Sequence, residues 1–329
     1  MRPSPTPLRP LCWLPLSCFV VGGAGCAVDD PGADHRAAVV ADEPAVLEAC
    51  TVDLPANVIT VRANDDGVVY SVGAGGDDVV IHRAFGVGCG LHETPDGIAA
   101  RELLDLDSRG NLYVFPATAT RTASATMLPD TPFGDVVTRV AVDGSLVNVV
   151  SAGRGIWDFS VAPDGDALWM TACGPTGVFD LADDGTMTVA ETPLPQSLWA
   201  QMPAVLTDAD TFWSVGFRTG DGCDDAMGCG YALVRADAGG GVYVGSTVMD
   251  LGDGAEHATL LRCGRRVCGT TGSAVVVWDD RGAIATTVLA SSIAGPGEAI
   301  VGVTGNRHGL YIQLAGDEGI RIVFVGGAI

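Results

Sequence analysis

Asn64-Asp65-Asp66-Gly67-Val68-Val69-Tyr70 is a tight polar turn followed by a β-branched run that ends in an aromatic residue, and the chain repeats it. Later copies read Asp107-Ser108-Arg109-Gly110-Asn111-Leu112-Tyr113, Pro163-Asp164-Gly165-Asp166-Ala167-Leu168-Trp169 and Asp208-Ala209-Asp210-Thr211-Phe212-Trp213. Cys263-Gly264-Arg265-Arg266-Val267-Cys268 and Asn306-Arg307-His308-Gly309-Leu310-Tyr311 complete the series. Successive copies lie about 43 to 56 residues apart, which suits a unit of four short antiparallel strands with their turns.

The second half of each unit agrees. Val142-Asp143-Gly144-Ser145, Ala182-Asp183-Asp184-Gly185-Thr186, Ala236-Asp237-Ala238-Gly239 and Trp278-Asp279-Asp280-Arg281-Gly282 are further turns, in which Gly tolerates positive φ and Asp accepts from nearby backbone amides. The runs between turns, such as Val79-Val80-Ile81 and Val136 to Val142, are short and β-branched. No sustained helical period follows the leader, so the reading is all-β. Six units predict a six-bladed β-propeller of four-stranded blades, with seven blades as the alternative if a long step hides a degenerate one. The last unit ends almost at Val325, so a segment around Cys50-Thr51-Val52-Asp53-Leu54 is expected to complete it, closing the ring with both termini.

Arg2 and Arg9, an apolar stretch from Leu11 to Val21 and small residues up to Cys26 have the layout of a secretion signal over 1–25. Gly23-Ala24-Gly25-Cys26 resembles the lipobox of bacterial lipoproteins, which implies lipidation of Cys26; ordinary cleavage near Ala27 is the other reading. Residues 26–50, rich in Ala, Asp and Pro, read as a flexible tether, and 51–329 as the propeller. The expected address is the bacterial cell envelope, at the outer membrane or in the periplasm, or the extracellular space, with membrane contact only through the lipid. Ten cysteines fit an oxidising compartment. Cys263 and Cys268 flank a hairpin turn and Cys223 and Cys229 a Gly/Asp loop, so each couple is a disulfide candidate. Cys50, Cys89 and Cys173 leave one thiol over, with the pairing open.

The formal net charge is −22, and all 18 basic residues are arginine. Such a surface repels phosphate, which argues against nucleic-acid binding. The absence of lysine excludes Schiff-base chemistry and a Walker-type phosphate loop. The chain carries no Gly-x-Ser-x-Gly turn beside a histidine.

Inner strands of a propeller ring a central channel, and counting back about eleven positions from each aromatic marker lands on Ile59, Glu102, Asp158, Met202, His257 and Ile300. With their polar neighbours this gives a channel mouth of Asn57, Glu102, Asp158, Gln201, Glu256 or His257, and Glu298. Carboxylates with a histidine could hold Ca²⁺ or another divalent cation, whereas polar strand starts are otherwise simply solvated. The long segments Pro116 to Gly134 and Gly216 to Gly230 join second to third strands and should overhang that mouth.

The third unit, from Phe159-Ser160-Val161-Ala162-Pro163-Asp164-Gly165-Asp166 through Trp169-Met170-Thr171 to Asp183-Asp184-Gly185-Thr186-Met187-Thr188, resembles a blade of the streptogramin lyase and gluconolactonase-like propellers. The wider chain resembles NHL-type propellers. Ala172 stands where those lyases commonly carry Glu, and no His and Glu pair matches their catalytic placement, so the resemblance implies fold and transfers no catalytic residue. Two functions are expected. One is a monomeric ligand- or partner-binding module for a small molecule, glycan or envelope protein; the other is a metal-dependent hydrolase or lyase acting at the channel mouth.

Overall fold

In the computed structural model the described residues are 48–75, 78–94, 97–116, 136–151, 156–172, 176–189, 204–208, 211–217, 231–237, 242–244, 259–270 and 273–329. The segments 117–135 and 218–230, which hold most of the two long loops, fall outside them, as do Cys26, Cys173, Cys223 and Cys229.

The chain is all-β, relieved among the described residues by one helical turn, α1 (Ala290–Ile293). Strand β1 (Ala49–Val52) begins inside the segment read as tether. A first antiparallel array follows: β2 (Val58–Asn64), β3 (Gly67–Gly75), β4 (Asp78–Phe85) and the short β5 (His92–Glu93). The second array is β6 (Ile98–Leu106), β7 (Leu112–Pro116), β8 (Val136–Val140) and β9 (Leu146–Ser151). The third is β10 (Ile156–Val161), β11 (Ala167–Ala172), β12 (Thr176–Leu181) and β13 (Met187–Val189). β14 (Ala204–Leu206), β15 (Thr211–Phe217), β16 (Tyr231–Asp237) and β17 (Val242–Val244) form the fourth. β18 (Thr259–Cys263), β19 (Arg266–Thr270), β20 (Ala274–Trp278) and β21 (Ile284–Leu289) form the fifth. The last comprises β22 (Ala299–Asn306), β23 (Gly309–Gly316) and β24 (Gly319–Gly326), and β1 adds to its free edge, with Cys50 opposite Phe324 and Val52 opposite Ile322.

The first strands of successive arrays are neighbours in space: β2 with β6, β6 with β10, β10 with β14, β14 with β18, β18 with β22, and β22 with β2. The fold is therefore a β-propeller, with arrays arranged around an axis; β4 also pairs with β6, Val79 opposite Ala100, and β18 with β22, so some neighbouring arrays share a hydrogen-bonded sheet. The aromatic markers explain the packing, because Tyr70, Tyr113 and Tyr311 are fully buried and Trp169 and Trp213 almost so. Each sits on the second strand of its array; Tyr113, Trp169, Trp213 and Tyr311 point at the next array, whereas Tyr70 faces the last one. Tyr113 and Val137 meet Val161 and Leu168; Trp169 meets Phe212 at a tilt, ring centroids 4.5 Å apart; Trp213 lies with Val267 and Trp278; Tyr311 and Phe324 meet Val61 and Tyr70. Burial of a side chain of this size stabilises by about 1.5–3 kcal/mol, so the contacts between arrays carry much of the fold.

The turns recognised in the sequence serve a second purpose. Asp107 is fully buried; its carboxylate accepts from the Asn111 amide at 2.8 Å and the Asn111 side chain at 2.7 Å. Gly165, with φ of 77°, sits against it, and a Cβ there would fall 2.8 Å from Asp107 Oδ2, so glycine is required both by backbone and by space. Neighbouring turns bond to each other: the Ser108 amide donates to Pro163 at 2.8 Å, Gly264 to Gly305 at 3.0 Å, and the Asn306 side chain to Asn64 at 2.8 Å.

Cys263 and Cys268 are disulfide-bonded across the β18–β19 hairpin, as their spacing predicted. The open pairing resolves as Cys50–Cys89, with Cα atoms 6.2 Å apart. That bond joins β1, on the last array, to the segment after β4 in the first. Disulfides of this kind belong to an oxidising compartment. None of the described residues forms a helix long and apolar enough to cross a membrane.

Cys50→Ser or Cys89→Ser should each lower stability by about 2–4 kcal/mol in denaturant unfolding, and reduction of the wild-type protein should reproduce much of the loss. Unfolding curves that coincide with wild type would show that strand pairing alone fixes β1.

Candidate functional site

The axis of the propeller is filled. A small cavity of about 80 Å³ there is lined by residues of all the first strands, among them Arg62, Asp105, Ser160, Val205, Arg262 and Thr304. Arg262 on β18 reaches across to the far side, where its guanidinium donates to the Val161 carbonyl at 2.7 Å and to the Leu106 carbonyl. Arg62 on β2 donates through Nε to the Leu104 carbonyl at 3.0 Å. The Asp105 carboxylate accepts from the Val161 amide at 2.8 Å, Ser160 Oγ accepts from the Leu206 amide at 3.3 Å, and Thr304 Oγ1 accepts from the Ala63 amide at 3.1 Å. Inner edges that face each other instead of pairing would otherwise leave buried backbone groups unsatisfied. Sequence reasoning missed these residues. The available signal was a charge inside an otherwise apolar strand, as in Thr259-Leu260-Leu261-Arg262-Cys263.

The mouth of the axis, where the inner strands begin, is shaped by a repeated defect. Pairing slips by one residue between Val58 and Thr60, Ala100 and Glu102, Ile156 and Asp158, and Ile300 and Gly302. Ile59, Arg101, Trp157 and Val301 are thus left as β-bulges at equivalent positions of four arrays. A bulge re-aims side chains, and here Ile59 is 53% and Val301 46% exposed although both are aliphatic.

The residues expected at the mouth divide as follows. Asn57 is exposed in the turn leading into β2. Glu102 lies beyond the second bulge and lines a cavity of about 300 Å³ with Ile59, Thr60, Asp78 and Arg101. Its carboxyl is raised above the ordinary range by the desolvating surroundings, against the pull of the Arg101 and Arg62 charges, although part of the residue stays exposed. Asp158 follows the third bulge and is paired with Thr171. Gln201, Glu256 and His257 lie outside the described residues.

Glu298 lines a separate open groove of about 730 Å³, walled by Thr51, Asp53, Pro296, Asp317, Glu318 and Arg321. Its carboxylate is taken: Arg321 donates through Nε at 3.0 Å and Nη2 at 2.5 Å, and the Gly295 amide at 2.6 Å. Arg321 also donates to Ile293 O at 3.2 Å and Thr51 Oγ1 at 3.3 Å, so the cluster ties α1, β24 and β1 together. The arginine and the amide hold the Glu298 carboxyl down at about 2. Glu102 and Glu298 therefore occupy different cavities, and among the described residues no group of three or more His, Cys, Asp and Glu is placed to hold a metal ion.

No protein-family model matches the chain, and no curated protein does. Among solved structures, the β-propeller domain of the trilobed protease from Pyrococcus furiosus is 11% identical, covering 83% of this chain and 93% of that one, with a TM-score of 0.47. A nidogen/laminin complex is 11% identical over 77% of this chain and 86% of that one, with a TM-score of 0.43. Acylaminoacyl peptidase from Pyrococcus horikoshii is 9% identical over 78% of this chain and 42% of its own, with a TM-score of 0.43. These similarities carry nothing about activity.

Arg262→Leu should cost about 2–4 kcal/mol in urea unfolding, because two carbonyls lose a charged donor at the axis; an unchanged midpoint would show that those bonds contribute nothing. Glu298 has a folded pKa of about 2, below its ordinary 4.5, so its stabilisation is complete above about pH 4.5 and is lost as pH falls toward 2. Glu298→Gln should melt lower than wild type at neutral pH, with the gap closing across that acid range. A gap that is constant from neutral pH to about pH 2 would show that ionisation of Glu298 plays no part.

Proposed function

We propose that this chain is an exported six-bladed β-propeller, completed by β1 as the outer strand of its last blade, that works as a binding module through the mouth face. The six-fold count is supported by the cycle of first strands and by their joint lining of the axial cavity. Export is supported by the leader, the lipobox-like Gly23-Ala24-Gly25-Cys26 and the disulfides, with the protein anchored through a lipid on Cys26. Its ligand is a small molecule, a glycan or an envelope protein.

The observation that carries the reading is the recurrence of the bulge at Ile59, Arg101, Trp157 and Val301. A register slip costs ladder hydrogen bonds, and four slips at one level of one face re-aim side chains at the solvated mouth. The metal-dependent hydrolase or lyase reading gains no support from Glu298, whose oxygens are committed to Arg321.

Carbodiimide labelling of carboxylates in the presence of envelope extract tests the face. Labelling of Glu102, Asp317 and Glu318 should fall, while Asp143 and Asp184, on the turns of the opposite face, stay labelled; the reverse pattern would overturn the proposal. Cys26→Ala should move the protein from the membrane to the soluble fraction, and unchanged partitioning would remove the anchor.

A further inference from the structure

Among the described residues two disulfides form, and they differ in what a solvent thiol can reach. Cys263 and Cys268 are each 0% exposed, on facing strands inside the core cluster shared by the fifth and last arrays. Cys50 is exposed on the edge strand β1, and Cys89 is half-buried between Gly88 and Gly90. Thiol–disulfide exchange needs a thiolate to reach a sulfur, so access separates the two bonds. Cys50–Cys89 can be attacked in the folded protein, whereas Cys263–Cys268 waits for its array to open.

The reachable bond sits where little else holds the chain. β1 is four residues long, and of these Val52 alone is buried. Besides its ladder to β24, the segment is held by the Gly326 amide, which donates to the Glu48 carbonyl at 2.9 Å, and by Arg321, which donates to Thr51 Oγ1 at 3.3 Å. Beyond Leu54 the chain is fixed again, the Ile320 amide donating to the Ala56 carbonyl at 3.0 Å. The loop opposite is shaped to meet β1: Gly88 has φ of 64°, and a Cβ there would fall 3.2 Å from the ring of Phe324, the residue that Cys50 pairs with. Glycine lets that loop lie flat on Phe324 and brings Cys89 to the strand. Thr51, Val52, Asp53 and Leu54 also form one wall of the groove of about 730 Å³ that holds Glu298 and Arg321. What fastens β1 therefore fastens that wall.

We infer that Cys50–Cys89 is a redox latch: a dithiol reductant opens it in the folded protein while Cys263–Cys268 stays closed, and residues 48–54 then leave β24 and take one wall of the groove with them. A thiolate of the reductant attacks Cys50 Sγ, the disulfide breaks and Cys89 leaves as a thiolate. The second thiol then attacks the reductant's own sulfur in the mixed disulfide and releases Cys50 as a thiolate. The protein gains two electrons, and the dithiol becomes a disulfide. The latch stands apart from the reading of the mouth face as a binding surface, because its opening needs no ligand.

The test uses the full-length protein with its free thiols first blocked by N-ethylmaleimide. Graded dithiothreitol in native buffer, an iodoacetamide pulse and peptide mass mapping should label Cys50 and Cys89 about tenfold or more faster than Cys263 and Cys268. Hydrogen exchange of the protein so reduced should rise in residues 48–54 and along β24, by about tenfold or more, and stay unchanged in β18 and β19. Equal labelling of all four cysteines, or none at reductant concentrations that open an exposed model disulfide, would overturn the inference. Labelling of Cys50 and Cys89 with exchange in 48–54 unchanged would show a crosslink that strand pairing makes redundant, and would also overturn it. A rise in exchange that extends to β18 and β19 would show general unfolding in place of a latch, with the same result.

Discussion

Strands that surround an axis pair little with one another, β18 and β22 meeting only at Cys263 and Gly305, and the structure depends on how their inner polar groups are satisfied there. Inner-strand amides and carbonyls face a cavity too small to solvate them freely. Side chains take the place of ladder bonds: Thr304 to Ala63, Asp105 to Val161, Ser160 to Leu206, and the two arginines to the carbonyls of Leu104, Leu106 and Val161. Arg262 serves two different strands at once, which a lysine, with a compact charge and no planar fork, would do poorly. Because these bonds occupy the axis, exchange with solutes is confined to the ends of the channel.

The two ends differ. At one, Asp/Gly turns grip each other, with Ser108 on Pro163, Gly264 on Gly305, and Arg307 on Asp65 at 3.1 Å, so the arrays are tied at short range by backbone donors. At the other, the inner strands carry their bulges and exposed aliphatics. The fold thus separates a face that fixes geometry from a face free to vary, and the arrangement needs no rearrangement to present a pocket.

Much of the fold was legible because its determinants are local. An Asp that accepts from the amide two residues on, as Asp143 does from Ser145 at 2.9 Å and Asp184 from Thr186 at 2.9 Å, announces its turn in four letters. The same holds for Cys263 and Cys268, five residues apart. The Cys50–Cys89 bond was not legible, since 39 residues separate partners that only the assembled ring brings together. Nor were the bulges, which are defined by a slip against the partner strand and leave no trace in their own composition. The position count did land on Ile59, but the expectation of a polar lining passed over it in favour of Asn57. Glu298 stands just before β22, in a groove apart from Glu102, and its partner Arg321, 23 residues on in β24, changes its chemistry from available to engaged.

The Cys50–Cys89 bond has a mechanical consequence. Any pull on the chain ahead of Glu48 reaches β1 at its first residues, and hydrogen bonds to β24 would yield one after another under such a peeling load. The disulfide intercepts the force at Cys50 and delivers it to the far side of the seam, at Cys89. A tug that would unzip an uncrosslinked edge strand instead draws the first and last arrays together through a covalent link, so a protein of this design can be tethered by its N-terminus and strained without opening.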